Sequence, residues 1–204
     1  MMQLIGMLDS PYVRRVAISL KFLGIPFDHK PISVFSGYAE FERINPTVKA
    51  PTLVTDNGVV LMDSNVILEY FASRYPRGLG RVGQSTADRL ADLRQIGLAL
   101  VACEKTVQLV YETKLRPREK QYDVWVDRVR RQLLAAYGEL EHEMGKRPTD
   151  STLPISQVFI TTAVSWRFTS HVLPDLLHQD HFPRLAKHST AAETLWEFRS
   201  TPLE

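Results

Sequence analysis

The sequence of 204 residues contains one cysteine, Cys103, so no disulfide can form within the chain. A single thiol also excludes a dithiol redox pair, and it suits a protein of the reducing cytosol. No apolar run approaches the length needed to cross a membrane, and the first residues lack the basic stretch of a secretory leader. We therefore expect a soluble cytoplasmic protein in which Cys103 is a small core residue.

Charge of one sign is also scarce, because 25 Lys and Arg residues are interspersed with 23 Asp and Glu residues. Blocks of basic residues, which mark surfaces that bind nucleic acid or anionic membranes, are missing, and we expect neither partner. The group His178, Asp180 and His181 is short and polar, and a surface turn explains it more simply than a metal site does. We therefore expect no bound metal.

The first third of the chain carries strand and helix patterns in alternation. Residues 2–8 are apolar on both parities, which predicts a buried strand, and the apolar spacing from Val13 to Leu23 predicts a helix. Residues 25–32 alternate in polarity between two prolines, which favours an edge strand. Asp56-Asn57-Gly58 between two β-branched runs predicts a hairpin. A strand–helix–strand unit followed by a hairpin predicts a mixed sheet.

Beyond a polar, glycine-rich stretch the β patterns stop. From Thr86 the spacing is helical, with an apolar stripe that begins with Leu90 and Leu93, a break at Pro117, and a second long helix over residues 124–140. Residues 155–168 are apolar on most sides and predict a helix at the centre of this half. We expect two further helices, beginning at Pro174 and Pro183. The predicted organisation is an α/β domain over residues 1–77, a linker over 78–85 and an all-helical domain over 86–204.

Ser10 is the first candidate for chemistry. Followed by Pro11, it has the position of an N-cap before the first helical residue, and a plain cap is one interpretation. The other is an anion site, because unpaired N–H groups and the positive end of the helix dipole meet there. A hydroxyl that donates to a thiolate contributes roughly 1.5–3 kcal/mol. That is enough to lower a thiol pKa from about 8.5 by two units, which needs roughly 2.7 kcal/mol.

Four stretches, in this order, resemble the motifs of cytosolic glutathione transferases, and the closest likeness is to bacterial serine-type members. Residues 10–16 resemble the Ser-Pro-aromatic motif, and residues 45–53 resemble Asn-Pro-x-x-Lys-x-Pro-x-Leu. Asp63-Ser64 with the apolar residues that follow resembles the acidic-Ser pair that opens a helix. The run through residues 198–202 is a weaker match. The resemblance covers essentially the whole chain.

The resemblance implies a thioredoxin-like first domain with a mixed four-stranded sheet, and glutathione as a co-substrate with no permanently bound cofactor. It implies a homodimer that conjugates glutathione to small hydrophobic electrophiles, a detoxification reaction. Ser10 would be the catalytic hydrogen-bond donor. The residues implied to bind glutathione are Ser10, Lys49, Ala50, Pro51, Asp63 and Ser64. Those implied to form the hydrophobic substrate surface are Met7, Leu8, Tyr12, Tyr111 and Trp166.

Each implied residue also has a structural interpretation. A cis Ala50-Pro51 bond would expose the main chain of Ala50 to a bound peptide, whereas a trans bond would mark an ordinary strand start. Asp63 or Ser64 is first of all an N-cap, and Lys49 is first of all a surface lysine. Arg14 and Arg15 are expected either to raise the potential near the thiolate or to pair across a dimer.

The sequence departs from the family pattern at two places. Where members have a Ser/Thr-x-x-Asp capping box on their central helix, residues 154–157 keep a possible N3 acceptor but lack the capping hydroxyl in the nearest alignment. Ala50 is smaller than the usual aliphatic residue, which would loosen the main-chain clamp. Two alternatives to a transferase remain open: a non-catalytic binding or interaction module of the same fold, and a glutathione-dependent peroxide reductase.

Overall fold

The computed structural model of the chain describes residues 1–75, 78–79, 85–146 and 155–203. Contacts group the chain into two compact units. The first unit comprises Met1–Gly83, Pro154–Ile160 and Thr194–Glu204, and the second comprises Gln84–Leu153 and Thr161–Glu193. The predicted linker over residues 78–85 lies mostly outside the described residues.

The first unit contains the mixed sheet that the sequence predicts. Its elements are β1 (Gln3–Ile5), α1 (Pro11–Phe22), β2 (Asp28–Lys30), α2 (Tyr38–Ile44), β3 (Thr52–Val54), β4 (Val60–Leu61), α3 (Ser64–Arg74) and, near the end of the chain, α8 (Trp196–Arg199). The strand order is β2-β1-β3-β4, with β1 parallel to β2 and antiparallel to β3, and β3 antiparallel to β4. The predictions of an edge strand at β2 and of a hairpin between β3 and β4 are confirmed.

The core of the first unit lies where α1 and α3 cover the sheet. Leu4 and Leu53 are paired across β1 and β3, and both are fully buried. Val16 and Leu20 of α1 and Ile67 of α3 belong to the same cluster. Burying aliphatic side chains of this size contributes about 1.5–3 kcal/mol each. This packing fixes the N-termini of both helices relative to the sheet.

The second unit is mostly helical, as expected. Its long helices are α4 (Thr86–Val110) and α5 (Asp123–Gly145), followed by most of α6 (Gln157–Val172) and by α7 (Pro183–Ala192). Between α4 and α5 the chain forms a π-helical turn over Tyr111–Leu115 and a 3₁₀ turn over Arg118–Lys120, which agrees with the predicted break at Pro117. Pro183 begins α7 as predicted, but the helix expected at Pro174 is wrong, because a turn occupies those residues.

The apolar stripe of α4 does not face the core. Leu90 and Leu93 are 69% and 48% exposed. The side of α4 that is buried carries small and polar residues, namely Asp92, Gln95, Ala99, Ala102, Cys103, Thr106 and Leu109. Small side chains allow α4 to pack closely against α5, and a search for apolar periodicity does not detect such a face. Cys103 is buried, as expected.

Buried hydroxyl groups connect the helices of the second unit. The Tyr137 hydroxyl of α5 donates to Thr169 Oγ1 of α6 at 2.6 Å, and Thr169 Oγ1 lies 2.7 Å from Thr106 Oγ1 of α4. Burial raises the pKa of the Tyr137 phenol, so this group stays protonated and can donate. The Tyr137 ring also packs against Trp166 and Phe182.

The start of α6 corrects one expectation. Ser156 Oγ accepts a hydrogen bond from the Phe159 N–H at 3.2 Å. The helix therefore has a capping hydroxyl, although residues 154–157 were expected to lack one. The N3 position of this cap is Phe159, and it is the N3 acceptor that is absent. The capping residue is Ser156, two residues after Pro154, which the family pattern had placed at the cap position.

Candidate functional site

Ser10 lies at the junction of β1 and α1 and caps the helix only loosely. Its backbone is extended, Pro11 is the first helical residue, and Ser10 Oγ accepts from the Val13 N–H at 3.5 Å. A distance of 3.5 Å is longer than that of a strong hydrogen bond. In this contact the hydroxyl only accepts, so the contact does not use its proton. Both interpretations of Ser10, as a cap and as a donor to a bound anion, are compatible with this geometry.

Gly6 allows the segment around Ala50 to approach the first turn of α1. A Cβ atom at Gly6 would lie 2.6 Å from Val13 Cγ2 and 3.1 Å from Ala50 Cβ, and the backbone has φ of +133°. Only glycine fits such a position without displacing its neighbours. The Gly6 carbonyl oxygen lies 2.8 Å from His29 Nε2 of β2. The end of β1, the start of α1 and the Ala50 segment therefore meet at one place.

The Ala50-Pro51 peptide bond is cis, which is one of the two alternatives that the sequence left open. The segment that leads to it is fixed by Asn45, whose side chain is buried. Asn45 Oδ1 accepts from the Thr47 N–H at 3.1 Å, and Asn45 Nδ2 donates to Thr52 Oγ1 at 2.8 Å. Thr52 Oγ1 in turn donates to the Lys49 carbonyl at 2.6 Å. Sequence analysis quoted Asn45 only as part of a motif and missed this role, which its position before Pro46 in a turn could have indicated.

Asp63 and Ser64 form the N-terminus of α3. Asp63 is the N-cap, and its Oδ1 accepts from the Asn65 N–H at 2.8 Å. Ser64 is 1% exposed, and its Oγ accepts a hydrogen bond from Arg15 Nη1 at 3.3 Å. The structural role of Asp63 as a cap is thus present, and the N-terminus of a second helix lies in the same unit as Ser10. Lys49 is exposed on the segment before Ala50.

The two arginines of α1 are buried and bonded within the first unit. Arg14 Nε donates to the Thr201 carbonyl at 2.7 Å, and its guanidinium lies over the Phe198 ring. Arg15 donates to the start of α3. Both guanidinium groups therefore have partners within the first unit, and the expected pairing across a dimer stays a prediction. The weak motif around Phe198 and Thr201 corresponds to the segment that Arg14 holds.

The residues expected to form a hydrophobic substrate surface differ in exposure. Met7 and Tyr12 are half-buried in the first unit, and Tyr111 is 47% exposed in the second. Leu8 is 6% exposed and belongs to the core of the first unit. Trp166 is 4% exposed and packs between Tyr137 and Phe182 in the core of the second unit. Leu8 and Trp166 therefore have packing roles, because their positions leave little surface for a substrate.

Within the described ranges, no group of three or more His, Cys, Asp or Glu side chains is arranged to hold a metal ion. In the same part of the chain, no helix combines the length and the apolar character that a membrane span requires.

Comparison with known proteins links this geometry to one family. Residues 4–81 match the family model for the N-terminal domain of glutathione S-transferases. The GST-like protein YibF of Escherichia coli K12 is 40% identical over 72 residues, a match that covers 34% of this chain and only about a third (34%) of that protein.

Two solved structures share the fold over nearly the whole chain. A glutathione transferase family member from Pseudomonas fluorescens Pf-5, solved with bound glutathione, is 25% identical, with a TM-score of 0.81 and coverage of 100% of both chains. A glutathione S-transferase from Methylobacterium radiotolerans, in complex with glutathione sulfonate, has a TM-score of 0.87. It is 24% identical, with coverage of 98% of this chain and 93% of that one, and it supports the fold alone.

Proposed function

We propose that the chain, which belongs to the glutathione S-transferase family by its N-terminal domain, is a serine-type glutathione transferase. In this proposal it binds glutathione in the first unit and transfers it to a small hydrophobic electrophile. The thiol of bound glutathione releases its proton to solvent. The resulting thiolate attacks an electrophilic carbon, a carbon–sulfur bond forms, and the leaving group departs with the electrons of the bond that breaks.

Ser10 stabilises the thiolate as a hydrogen-bond donor, and it does not act as a nucleophile. Support comes from the loose 3.5 Å contact with Val13, in which the hydroxyl accepts and its proton is left for a ligand. A hydrogen bond to a charged group contributes about 1.5–3 kcal/mol, and a helix N-terminus adds about 0.3–2 kcal/mol. Their sum is sufficient to lower a thiol pKa by about two units, which is worth roughly 2.7 kcal/mol. At neutral pH most of the bound glutathione is then thiolate.

The rest of the tripeptide is held by backbone and charge. The N–H groups at the start of α3 and the Ser64 hydroxyl bind the γ-glutamyl carboxylate, since a helix N-terminus favours an anion. Asp63 receives the ammonium, Lys49 the second carboxylate, and the main chain of Ala50 pairs with the extended backbone of the ligand. Pro51 fixes the direction of the chain at Ala50.

One observation carries this proposal: because residue 6 is glycine, the Ala50 segment can lie close to the first turn of α1. A carbon atom at that position would collide with Val13 and crowd Ala50, so the three segments approach as closely as their backbones permit. An extended ligand can then contact the serine and the strand edge at once.

The proposal predicts that Ser10→Ala raises the pKa of enzyme-bound glutathione by about one to two units, because a thiolate loses a donor worth about 1.5–3 kcal/mol. The measurement is ultraviolet titration of the thiolate in the binary complex, with conjugation of an aromatic halide followed in parallel. Ser10→Thr, which keeps a hydroxyl, is the control. An unchanged pKa in Ser10→Ala would remove Ser10 from the mechanism. Binding of glutathione without turnover of any electrophile would instead identify a binding module.

We further propose that the protein is a cytoplasmic homodimer that detoxifies electrophiles. Support for the dimer comes from α4, where Leu90, Leu93, Gly97 and Val101 form an exposed stripe with the spacing of a helix–helix seam. Leu93→Glu is expected to yield monomers in light scattering after size-exclusion chromatography. Val124→Glu, an equivalent change at a position of α5 that is 64% exposed, is expected to leave the dimer intact. A dimeric Leu93→Glu protein would locate the interface elsewhere.

A further inference from the structure

Arg15 connects the two helix N-termini of the candidate site. It lies on α1, five residues after Ser10, and its guanidinium reaches the first turn of α3. Nη1 donates to Ser64 Oγ at 3.3 Å and to Asn65 Oδ1 at 2.9 Å. Arg15 is 3% exposed and its contact with Ser64 is buried, whereas its contact with Asn65 is partly buried. A cation buried against a candidate ligand-binding hydroxyl requires an explanation.

The chemistry of the guanidinium fixes the role of the hydroxyl. A guanidinium has N–H donors and no acceptor, and it stays protonated in proteins. Ser64 Oγ must therefore accept from Arg15, and the single Ser64 proton must point toward a different acceptor. A serine hydroxyl in solution rotates freely, whereas this one has lost the orientations that direct its proton at Nη1. The contact with Arg15 thus restricts the rotation of the Ser64 hydroxyl and limits the directions in which it can donate its proton.

Asn65 holds the arginine in place. The shorter of the two Nη1 bonds, at 2.9 Å, goes to the Asn65 side chain, and the Asn65 N–H is itself bound by the N-cap Asp63 at 2.8 Å. Asn65 is exposed, and it is joined to Ser64 through the same first helical turn. Asn65 is thus bonded through two groups: its backbone N–H donates to the Asp63 carboxylate, and its side-chain oxygen accepts from Arg15 Nη1, which also donates to Ser64 Oγ.

We propose that Arg15 is a positioning residue that orients the Ser64 hydroxyl as a donor to the γ-glutamyl α-carboxylate of glutathione. The inference rests on the proposed function, because it assigns a ligand to the N-terminus of α3. Arg15 acts through Ser64 and does not touch the ligand. It determines how strongly a peptide with a free α-carboxylate is bound and has no part in the ionisation of the thiol.

The test measures affinity by calorimetry for two ligands: glutathione, and an analogue in which the γ-glutamyl α-carboxylate is a carboxamide. Arg15→Met is expected to weaken glutathione binding about 10- to 100-fold and to change the affinity for the analogue less than about 3-fold. In Ser64→Ala, where the oriented group is gone, the further change Arg15→Met is expected to have little additional effect. The pKa of bound thiol is expected to be the same in Arg15→Met and in the unaltered protein.

Asn65→Ala provides a variant that keeps the buried arginine and is matched by Asn57→Ala, at an exposed hairpin position of the same unit. Asn65→Ala is also expected to weaken the affinity for glutathione more than the affinity for the analogue, with a smaller loss of about 3- to 10-fold. If Arg15→Met does not fold, Asn65→Ala decides the question. Asn57→Ala should bind both ligands normally.

The outcomes separate this inference from the proposed function. If the unaltered protein does not bind glutathione, the proposed function fails. If it binds glutathione but the Arg15 and Asn65 variants lose both ligands equally, or neither, the inference is overturned and Arg15 has only a packing role. Additive losses in the Ser64→Ala, Arg15→Met double variant would also overturn it, because independent effects show that Arg15 does not act through Ser64.

Discussion

The N-termini of α1 and α3 in the first unit and those of α5 and α7 in the second unit are satisfied by different groups. In the first unit, α1 and α3 are capped by their own preceding side chains, Ser10 and Asp63. In the second unit, α5 and α7 have no such cap, and glutamates from other elements bind there. Glu112 accepts from the Tyr122 N–H at the start of α5 at 2.9 Å.

The start of α7 shows the contrast most fully. Glu141 of α5 is 8% exposed, and its two oxygens accept from the Arg184 and Leu185 N–H groups at 2.9 Å each. This is a carboxylate bound by consecutive N–H groups at a helix N-terminus, which is the geometry proposed for the ligand at α3. The second unit therefore binds one of its own carboxylates at the start of α7, whereas the proposed function places the carboxylate of a ligand at the start of α3.

The largest expected effect lies at this filled helix end. Glu141→Ala removes two charge-assisted hydrogen bonds from a buried N-terminus, and we expect it to lower the free energy of unfolding by about 3 kcal/mol. Urea unfolding monitored by circular dichroism provides the measurement. Glu139→Ala, two residues away on the same helix, is the matched control, because the Glu139 side chain is 53% exposed and pairs with Arg94.

A loss below about 0.5 kcal/mol in Glu141→Ala, equal to that expected of the exposed control, would contradict the comparison. It would show that water satisfies the N–H groups at the start of α7 as well as the Glu141 carboxylate does. The carboxylate would then be incidental to the fold.

The second prediction compares two serine caps. Ser85 of α4 forms a capping box, in which its Oγ accepts from the Asp88 N–H at 3.1 Å and Asp88 bonds back to Ser85. We expect Ser85→Ala to cost about 1 kcal/mol of stability, a typical value for a lost cap. Ser10→Ala, at 3.5 Å, should cost less than about 0.5 kcal/mol, although it impairs thiolate stabilisation. Thermal unfolding of both variants without ligand is the measurement, and an equal loss in both would show that Ser10 is a structural cap like Ser85.

Much of the first unit was predictable because its signals are local. Asn57-Gly58 specifies a hairpin through the positive φ that Gly58 adopts, and Ser10-Pro11 specifies a helix start by fixed geometry. For the bond before Pro51 the sequence offered cis and trans as alternatives, and the structure has the cis form. In each case adjacent residues contain the information.

The missed features depend on residues that are far apart in the chain. Glu141 caps α7 from 43 positions away, and Arg15 reaches Ser64 across 49. Neither contact leaves a pattern in adjacent residues. The buried face of α4 was missed for another reason, since it carries small or polar side chains such as Ala99 and Thr106 in place of large apolar ones, and the Thr106 hydroxyl is satisfied by the Ala102 carbonyl. Sequence therefore suggested a candidate anion site at Ser10 but could not reveal the contact between Arg15 and Ser64.

The smallest expected effect concerns a glutamate of the second unit that does not fill a helix N-terminus. Hydrogen bonds from Lys146 and Arg94 lower the pKa of Glu143 below its ordinary value of 4.5. A group with a lowered pKa in the folded state stabilises the protein above its unfolded pKa, and this contribution is lost as the pH falls through the folded value. Lys146 and Arg94 are 56% and 51% exposed, so solvent screens the pairs and the contribution is only a few tenths of a kcal/mol.

Between pH 6 and pH 3 the unaltered protein should therefore lose slightly more stability than Glu143→Gln, as measured by urea unfolding at each pH. If instead this difference approached the 3 kcal/mol expected for Glu141→Ala, half-exposed ion pairs would matter as much as the filled helix end, and the distinction between the two kinds of glutamate would fail.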